Sequence, residues 1–253
     1  MSDLVTSIDH GAVRELRLSR PPVNALDPAL SLAIADAVAR AATEGVQGLV
    51  LSGGPKVFSA GLDVPHLASL GADRAALRAA WEAFFAAARA LANAPMPVVA
   101  ALAGHAPAGG CVLALCCDYR IMASGPYAIG LNETQVGLVA PEGIQHLMRR
   151  VVGAYRAERL LVAGELVQSE AALAMGLVDE LVDVDGVPVR AVAWLTQLLA
   201  LPRAPMLETR RIARADLVAA LSPERIGLDR FVEGWYSDDT QAALRALLSR
   251  LGK

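Results

Sequence analysis

The apolar positions of this chain begin with a two-residue period and then change to a helical one. Leu4 to Ser19 holds two short β-like runs around His10-Gly11, the second (Val13, Glu15, Leu16, Arg17, Leu18) partly alternating, which predicts a hairpin. Asp27-Pro28 is an N-cap followed by proline at the first helical position, and Leu30, Ile34, Val38 and Ala41 recur at helical spacing up to Gly45. Gly48 to Ser52 is a compact apolar strand closed by Gly53-Gly54-Pro55, an Ala-rich helix covers Asp73 to Asn93, and Pro97 to Ala103 is another strand. Gly109 to Cys117 reads as a short buried helix and Tyr119 to Ala123 as a strand. Past Gly137 the text is helical around Ile144 to Val152 and Tyr155 to Ala163, Ser169 caps Glu170 to Met175, and Leu177 to Val182 is a last strand. From Ala191 onward it is helical, with breaks at Pro202, Pro205 and Pro223. The pattern predicts an α/β core of repeated strand-strand-helix turns over residues 1–190 and a helical region over 191–253.

Composition narrows the classes. The 253 residues are 55% hydrophobic and 19% charged, with a net charge of −3, which excludes disorder and gives no general attraction to nucleic acid or anionic lipid. The mean hydropathy of +0.42 raises a membrane alternative, because Ala90 to Cys117 contains no Asp, Glu, Lys or Arg and is long enough to span a bilayer. Pro95, Pro97, Gly104, Pro107, Gly109 and Gly110 divide it into pieces that fit a strand, a turn and a buried helix better. Three clustered cysteines, Cys111, Cys116 and Cys117, form neither a disulfide framework nor a zinc spacing and point to a reducing compartment. Neither terminal segment carries a targeting signal, so the expected location is the cytoplasm.

Two segments offer main-chain N–H groups in unusual surroundings. Phe58-Ser59-Ala60-Gly61-Leu62-Asp63 is a turn of small residues after a buried strand, and Pro107-Ala108-Gly109-Gly110-Cys111 opens a helix whose first amides lack intrahelical partners. Two such donors converging on one oxygen would form an oxyanion hole; close strand-helix packing explains the glycines equally. A third segment, Ile129 to Gly137, is polar within apolar text. Its Glu133 is either a desolvated general base or the acid of an exposed Asn132-Glu133-Thr134 turn. No G-x-S-x-G element is present, and His10, His66, His105 and His146 have no metal-ligand spacing. His105 reads as a structural imidazole.

These residues carry a resemblance. Ala60-Gly61-Leu62-Asp63, His105 to Cys111 and Gly130-Leu131-Asn132-Glu133-Thr134-Gln135-Val136-Gly137 resemble the crotonase, or enoyl-CoA hydratase/isomerase, superfamily, and within it the mitochondrial-type Δ3,Δ2-enoyl-CoA isomerases. Pro22 to Leu26, Cys117 to Met122 and Met175 to Asp179 agree, so the resemblance covers nearly the whole chain. It implies a crotonase spiral of ββα units whose C-terminal helices make a homotrimer or a dimer of trimers. It further implies an acyl-CoA thioester bound with its carbonyl oxygen between the N–H groups of Leu62 and Gly109. On the same resemblance Ala60, Gly61, Asp63 and Asn132 would lie around that substrate, and Glu133 would be the catalytic acid and base that moves the double bond of 3-enoyl-CoA to 2-enoyl-CoA, as in fatty-acid β-oxidation. No metal and no cofactor apart from the substrate's own coenzyme A is implied.

Hydratases of the superfamily use two glutamates to hold water, and Val112 stands where the first would be. Glu142, nine residues past Glu133, is either a second pocket acid or a helix first-turn acid. Lys56, Arg149-Arg150 and Arg210-Arg211 are candidate phosphate contacts or solvated cations, and Trp81, Phe84 and Phe85 either line the acyl pocket or form a core stripe. The alternatives are therefore a hydratase or other thioester enzyme of the superfamily and, from another class, a non-catalytic RNA-binding member. The latter needs a basic helical face, whereas Asp73 to Asn93 offers Arg74, Arg78 and Arg89 against Asp73 and Glu82.

Overall fold

The computed structural model describes residues 3–252; Met1, Ser2 and Lys253, at the ends of the segments read for targeting signals, lie outside the described residues. Among the described residues nine strands form two sheets: β1 (Val5–His10), β2 (Val13–Leu18), β3 (Gly48–Ser52), β4 (Val98–Leu102), β5 (Ala106–Pro107), β6 (Tyr119–Ala123), β7 (Ala128–Gly130), β8 (Val167–Gln168) and β9 (Glu180–Val182). The larger sheet runs β1-β2-β3-β4-β6-β9, antiparallel only at the β1–β2 hairpin, and the smaller runs β5-β7-β8. Successive turns of the chain add one strand to each, as β4 then β5 and β6 then β7, which is the expected spiral.

The helices are α1 (Pro28–Thr43), α2 (Val64–Ser69), α3 (Arg74–Ala92), α4 (Gly109–Leu115), α5 (Glu142–Val152), α6 (Ala154–Ala163), α7 (Ser169–Ala174), α8 (Val187–Leu199), α9 (Arg203–Ala213), α10 (Ala215–Ala220), α11 (Pro223–Ile226), α12 (Leu228–Trp235) and α13 (Asp238–Arg250). Local chemistry sets the ends of several. The Asp27 carboxylate accepts from the Leu30 N–H to start α1, and Asp73 accepts from Ala76 to start α3.

Strands β3 and β4 are buried along their whole length because both faces of the sheet are covered. Leu49, Leu51, Val98, Ala100 and Leu102 face the main core with α1, α3 and α4, while Val50, Val99 and Ala101 alternate to the other face beneath Val187, Ala191 and Leu195 of α8. Residue 190 thus falls inside α8, which covers the sheet's second face. Helix α9 is held by charge. Arg210 donates two bonds of 2.8 Å to Asp118 and is no solvated cation, whereas its neighbour Arg211 is exposed and pairs with Glu208 at 2.6 Å; Arg214, just past the helix, donates to the Cys116 carbonyl at 2.6 Å.

Two local readings also change. Ser169 is the first residue of α7, and its hydroxyl donates to the Gly125 carbonyl at 2.7 Å rather than capping the helix. Pro205 lies in the first turn of α9 and does not break it, because N–H groups there need no intrahelical acceptor. The charge-free stretch Ala90 to Cys117 is the end of α3, β4, β5 and α4, almost all of it buried. No single helix among the described residues is long and apolar enough to cross a membrane.

Candidate active site

A cavity of about 650 Å³ opens between the ends of the two sheets and the C-terminal helices. It gathers the segments singled out in the sequence. Ala60, Leu62 and Asp63 come from the turn after β3, Gly109 and Val112 from the start of α4, and Asn132 and Glu133 from the segment after β7. Gly61 lies directly behind them. Three charged residues line the cavity, and two of these, Arg20 and Asp63, are paired with each other at 2.7 Å.

The Leu62 turn is held as a short parallel bridge. Leu26 N–H donates to the Gly61 carbonyl at 2.7 Å, and Asp63 N–H donates to the Leu26 carbonyl at 3.1 Å. Because these neighbours face Leu26, the intervening Leu62 N–H faces the opposite side, toward the cavity. Two buried polar residues hold the turn from beneath. Ser59 Oγ donates to the Asn24 carbonyl at 2.8 Å and accepts from Gly61 N–H, and Asn24 Nδ2 donates to the Phe58 carbonyl at 3.0 Å.

The second donor rests on a strained peptide. Ala108 has φ 47° and ψ −120°, outside the usual range for a side-chain-bearing residue, and its N–H donates to the Gly130 carbonyl at 2.8 Å. Gly109 follows as the first residue of α4, so its N–H has no helical acceptor. The turns pack tightly: a methyl group at Gly61, whose φ is +82°, would lie 3.0 Å from Gly109 N, and one at Gly110 would lie 2.6 Å from the Ser59 carbonyl oxygen. The packing reading of these glycines holds, and it places the Gly61 turn against the start of α4.

Glu133 begins a 3₁₀ turn, Glu133–Val136, that is stapled from several sides. Leu138 N–H donates to the Glu133 carbonyl at 2.9 Å, and the Thr134 hydroxyl donates to Leu161 and that of Thr240, on α13, to Gly137. Thr134 and Gln135 remain exposed, whereas Glu133 is half-buried beside the cavity and its buried Oε2 has no hydrogen-bond partner. Burial raises the carboxyl pKa from 4.5 to about 7, with only its own main-chain amide acting in the other direction.

Other candidates separate from this group. Glu142 makes two bonds of 2.7 Å to Arg225, which hold its carboxyl below the usual range, and it does not line the cavity. Lys56 is exposed and also outside the cavity. Arg149 donates to Gln145, and Arg150 pairs with Asp216. His105 Nδ1 accepts from the Ala128 N–H at 3.0 Å, a structural role. On α3, Arg78 pairs with Asp229, Arg89 with Glu82, and Arg74 sits over the Tyr236 ring, so its basic side chains are engaged within the fold. Among the described residues no group of three or more His, Cys, Asp or Glu side chains gathers as a metal site would require.

The aromatic stripe on α3 is at once core and cavity wall. Trp81, Phe84 and Phe85 are buried in the core and also line the cavity, with Phe231 packed on Trp81 at a centroid distance of 4.3 Å. Sequence reading missed Arg20 at the mouth and Phe231, Leu247 and Leu251 in the wall. The first stands beside Pro21-Pro22, and the others lie in helical text whose apolar residues resemble any core stripe.

The enoyl-CoA hydratase/isomerase family model matches residues 9–233. The chain belongs to the enoyl-CoA hydratase/isomerase family. Mitochondrial enoyl-CoA delta isomerase 1 of Homo sapiens is 34% identical over 96% of this chain and 82% of its own. A probable enoyl-CoA hydratase of Mycobacterium avium is 36% identical over 86% of this chain and 84% of its own. The solved structure of human mitochondrial delta3-delta2-enoyl-CoA isomerase superposes with a TM-score of 0.92 at 32% identity, covering 98% of both chains. Family members named for both reactions are thus similar to this chain, and the contents of the cavity must decide between them.

Proposed function

We propose that this protein is an enoyl-CoA isomerase that converts 3-enoyl-CoA to 2-enoyl-CoA, a step of fatty-acid β-oxidation. The observation that carries the reading is that Glu133 is the one carboxylate of the cavity not neutralised by a neighbouring cation. Its carboxylate removes a proton from C2. The electron pair forms the C1–C2 double bond of a dienolate, and negative charge develops on the thioester oxygen held by the Leu62 and Gly109 amides. The carboxylic acid then returns the proton to C4, which takes the C3–C4 π pair, while the C1–C2 pair becomes the C2–C3 double bond and the charge on oxygen re-forms the thioester carbonyl. One acid-base group with a pKa near the working pH serves both transfers. Nothing in this scheme calls for a cofactor.

Hydration makes a different demand, because water must be oriented as well as deprotonated. Val112 at the cavity wall can neither accept nor donate a hydrogen bond, and the nearby Glu142 is committed to Arg225. The expected result is a rise of conjugated-thioester absorbance with 3-enoyl-CoA and no progressive loss of it with 2-enoyl-CoA. Progressive loss from the second cuvette would assign the hydratase instead.

The reading extends to assembly as a homotrimer or dimer of trimers, with residues from 191 onward contributing. Assembly is supported by apolar side chains exposed around one groove, Val139 at 72% and Val162 at 75%, with Tyr155 at 73% on the same face of α6, and the later region by exposed Leu201 at 52% and Ile212 at 62%. Sedimentation equilibrium is expected to give a mass of three or six chains, and a monomer would reject it. The buried, unpaired cysteines support a reducing compartment, here the cytoplasm, although the human relative carries "mitochondrial" in its name.

A further inference from the structure

Arg20 lies at the mouth of the cavity between the caps of the two helices that flank the Leu62 turn. Its Nη2 donates to Asp63 Oδ2 at 2.7 Å, its Nε lies 3.1 Å from Asp27 Oδ2, and its Nη1 donates to the Ala25 carbonyl at 2.9 Å. Each carboxylate divides its oxygens between two tasks. Asp63 Oδ1 accepts from His66 N–H at 3.0 Å to cap α2, and Asp27 Oδ1 accepts from Leu30 N–H at 2.8 Å to cap α1. The guanidinium thus joins the starts of both helices across the segment that carries Leu62.

We infer that Arg20 is a positioning residue for the oxyanion hole, fixing through Asp63 the direction in which the Leu62 N–H points. The inference rests on the oxyanion-hole reading above and adds to it the group that sets one donor's aim. The main-chain bridge to Leu26 locates the Leu62 peptide, and the ion pair on the next residue resists its rocking. An amide that stabilises a developing charge acts only at the correct distance and angle, and a displacement of about 1 Å can cost 10²-fold in rate. The Arg20 side chain is 27% exposed and its partners Asp27 and Asp63 only 19% and 14%, so water screens the network in part and its loss is expected to lower melting as well as turnover. Lysine does not replace it, because a single ammonium lacks the planar fork that reaches Asp27, Asp63 and the Ala25 carbonyl together.

The test uses two substrates, 3-enoyl-CoA and the 3-enoyl thioester of N-acetylcysteamine, which has no phosphates. Arg20→Gln, Arg20→Lys and Asp63→Asn, the last keeping a cap acceptor for α2, are each expected to lower kcat about 10- to 100-fold on both thioesters with KM little changed. The absorbance of a bound 2-enoyl thioester is expected to be red-shifted in the parent, if two hydrogen bonds polarise its carbonyl, and to return toward the free value in the variants. The Arg20→Gln/Asp63→Asn double variant loses no more than either single one. A loss confined to the CoA thioester would make Arg20 a phosphate contact and overturn the inference, as would an unchanged kcat and red shift. A parent showing no red shift would instead remove the oxyanion-hole reading, and the inference with it. Thermal melts confirm folding, and Arg20→Lys, which keeps the charge, carries the test if Arg20→Gln does not fold.

Discussion

Glu133→Gln is expected to bind acyl-CoA thioesters as well as the parent and to turn them over about 10²- to 10⁴-fold more slowly, toward the upper end because one carboxylate performs both proton transfers. Titration of an unreactive saturated acyl-CoA against both proteins, with kcat measured on 3-enoyl-CoA, checks both halves of this statement. An undiminished kcat would reject Glu133 as the base. The pH dependence has a definite sign. The free enzyme needs the carboxylate, whose pKa burial raises from 4.5 to about 7, so kcat/KM of the parent rises with pH through about 7 and then levels.

Stability responds in the opposite direction. Between pH 4.5 and about 7 the folded protein holds a proton on Glu133 that the unfolded chain has released, so unfolding free energy falls as pH rises across that window. The full effect is on the order of 3 kcal/mol. Glutamine removes this contribution, and urea midpoints at pH 5 and pH 8 are expected to show the variant gaining on the parent at the higher pH. Catalytic readiness and stability thus oppose each other at one buried carboxyl.

Gly61→Ala is expected to lower kcat about 10²- to 10³-fold, the range for loss of one oxyanion donor. The added methyl would lie 3.0 Å from both Gly109 N and Ala108 Cβ and 3.2 Å from the Pro107 carbonyl oxygen, which separates the two turns where their amides meet. The backbone at φ +82° adds a cost of about 1–2 kcal/mol for any residue with a Cβ. Steady-state kinetics and a thermal melt measure the two effects separately. A cooperative fold with parental kcat would show that the amides need not converge as described.

The elements easiest to read were those whose cause is local. Asp27-Pro28 starts α1 through a bond to a residue three positions away, and fully apolar β3 and β4 reflect burial on both faces. Helix α2 escaped because its six residues bury only Leu67, too little for a period to emerge. Ser169 was misread because its hydroxyl bonds Gly125, 44 residues away, in preference to its own helix.

The order of residues along the chain was enough to mark the small-residue turn at Ala60 to Asp63, the glycines opening α4 and the polar island at Glu133, since each interrupts an apolar pattern. The resemblance added their roles. What Glu133 is chemically depended on the tertiary structure: Asn132-Glu133-Thr134 is polar text that would be solvated in isolation, and the fold, with α6 and α13 holding the turn, leaves Thr134 exposed but desolvates Glu133 and raises its proton affinity. The same holds for Arg20, whose partner Asp63 is 43 positions distant, and for the cavity wall completed by Phe231, Leu247 and Leu251. Periodicity reports which side of an element is buried, whereas the field at a carboxyl depends on everything that surrounds it, most of which arrives from distant parts of the chain.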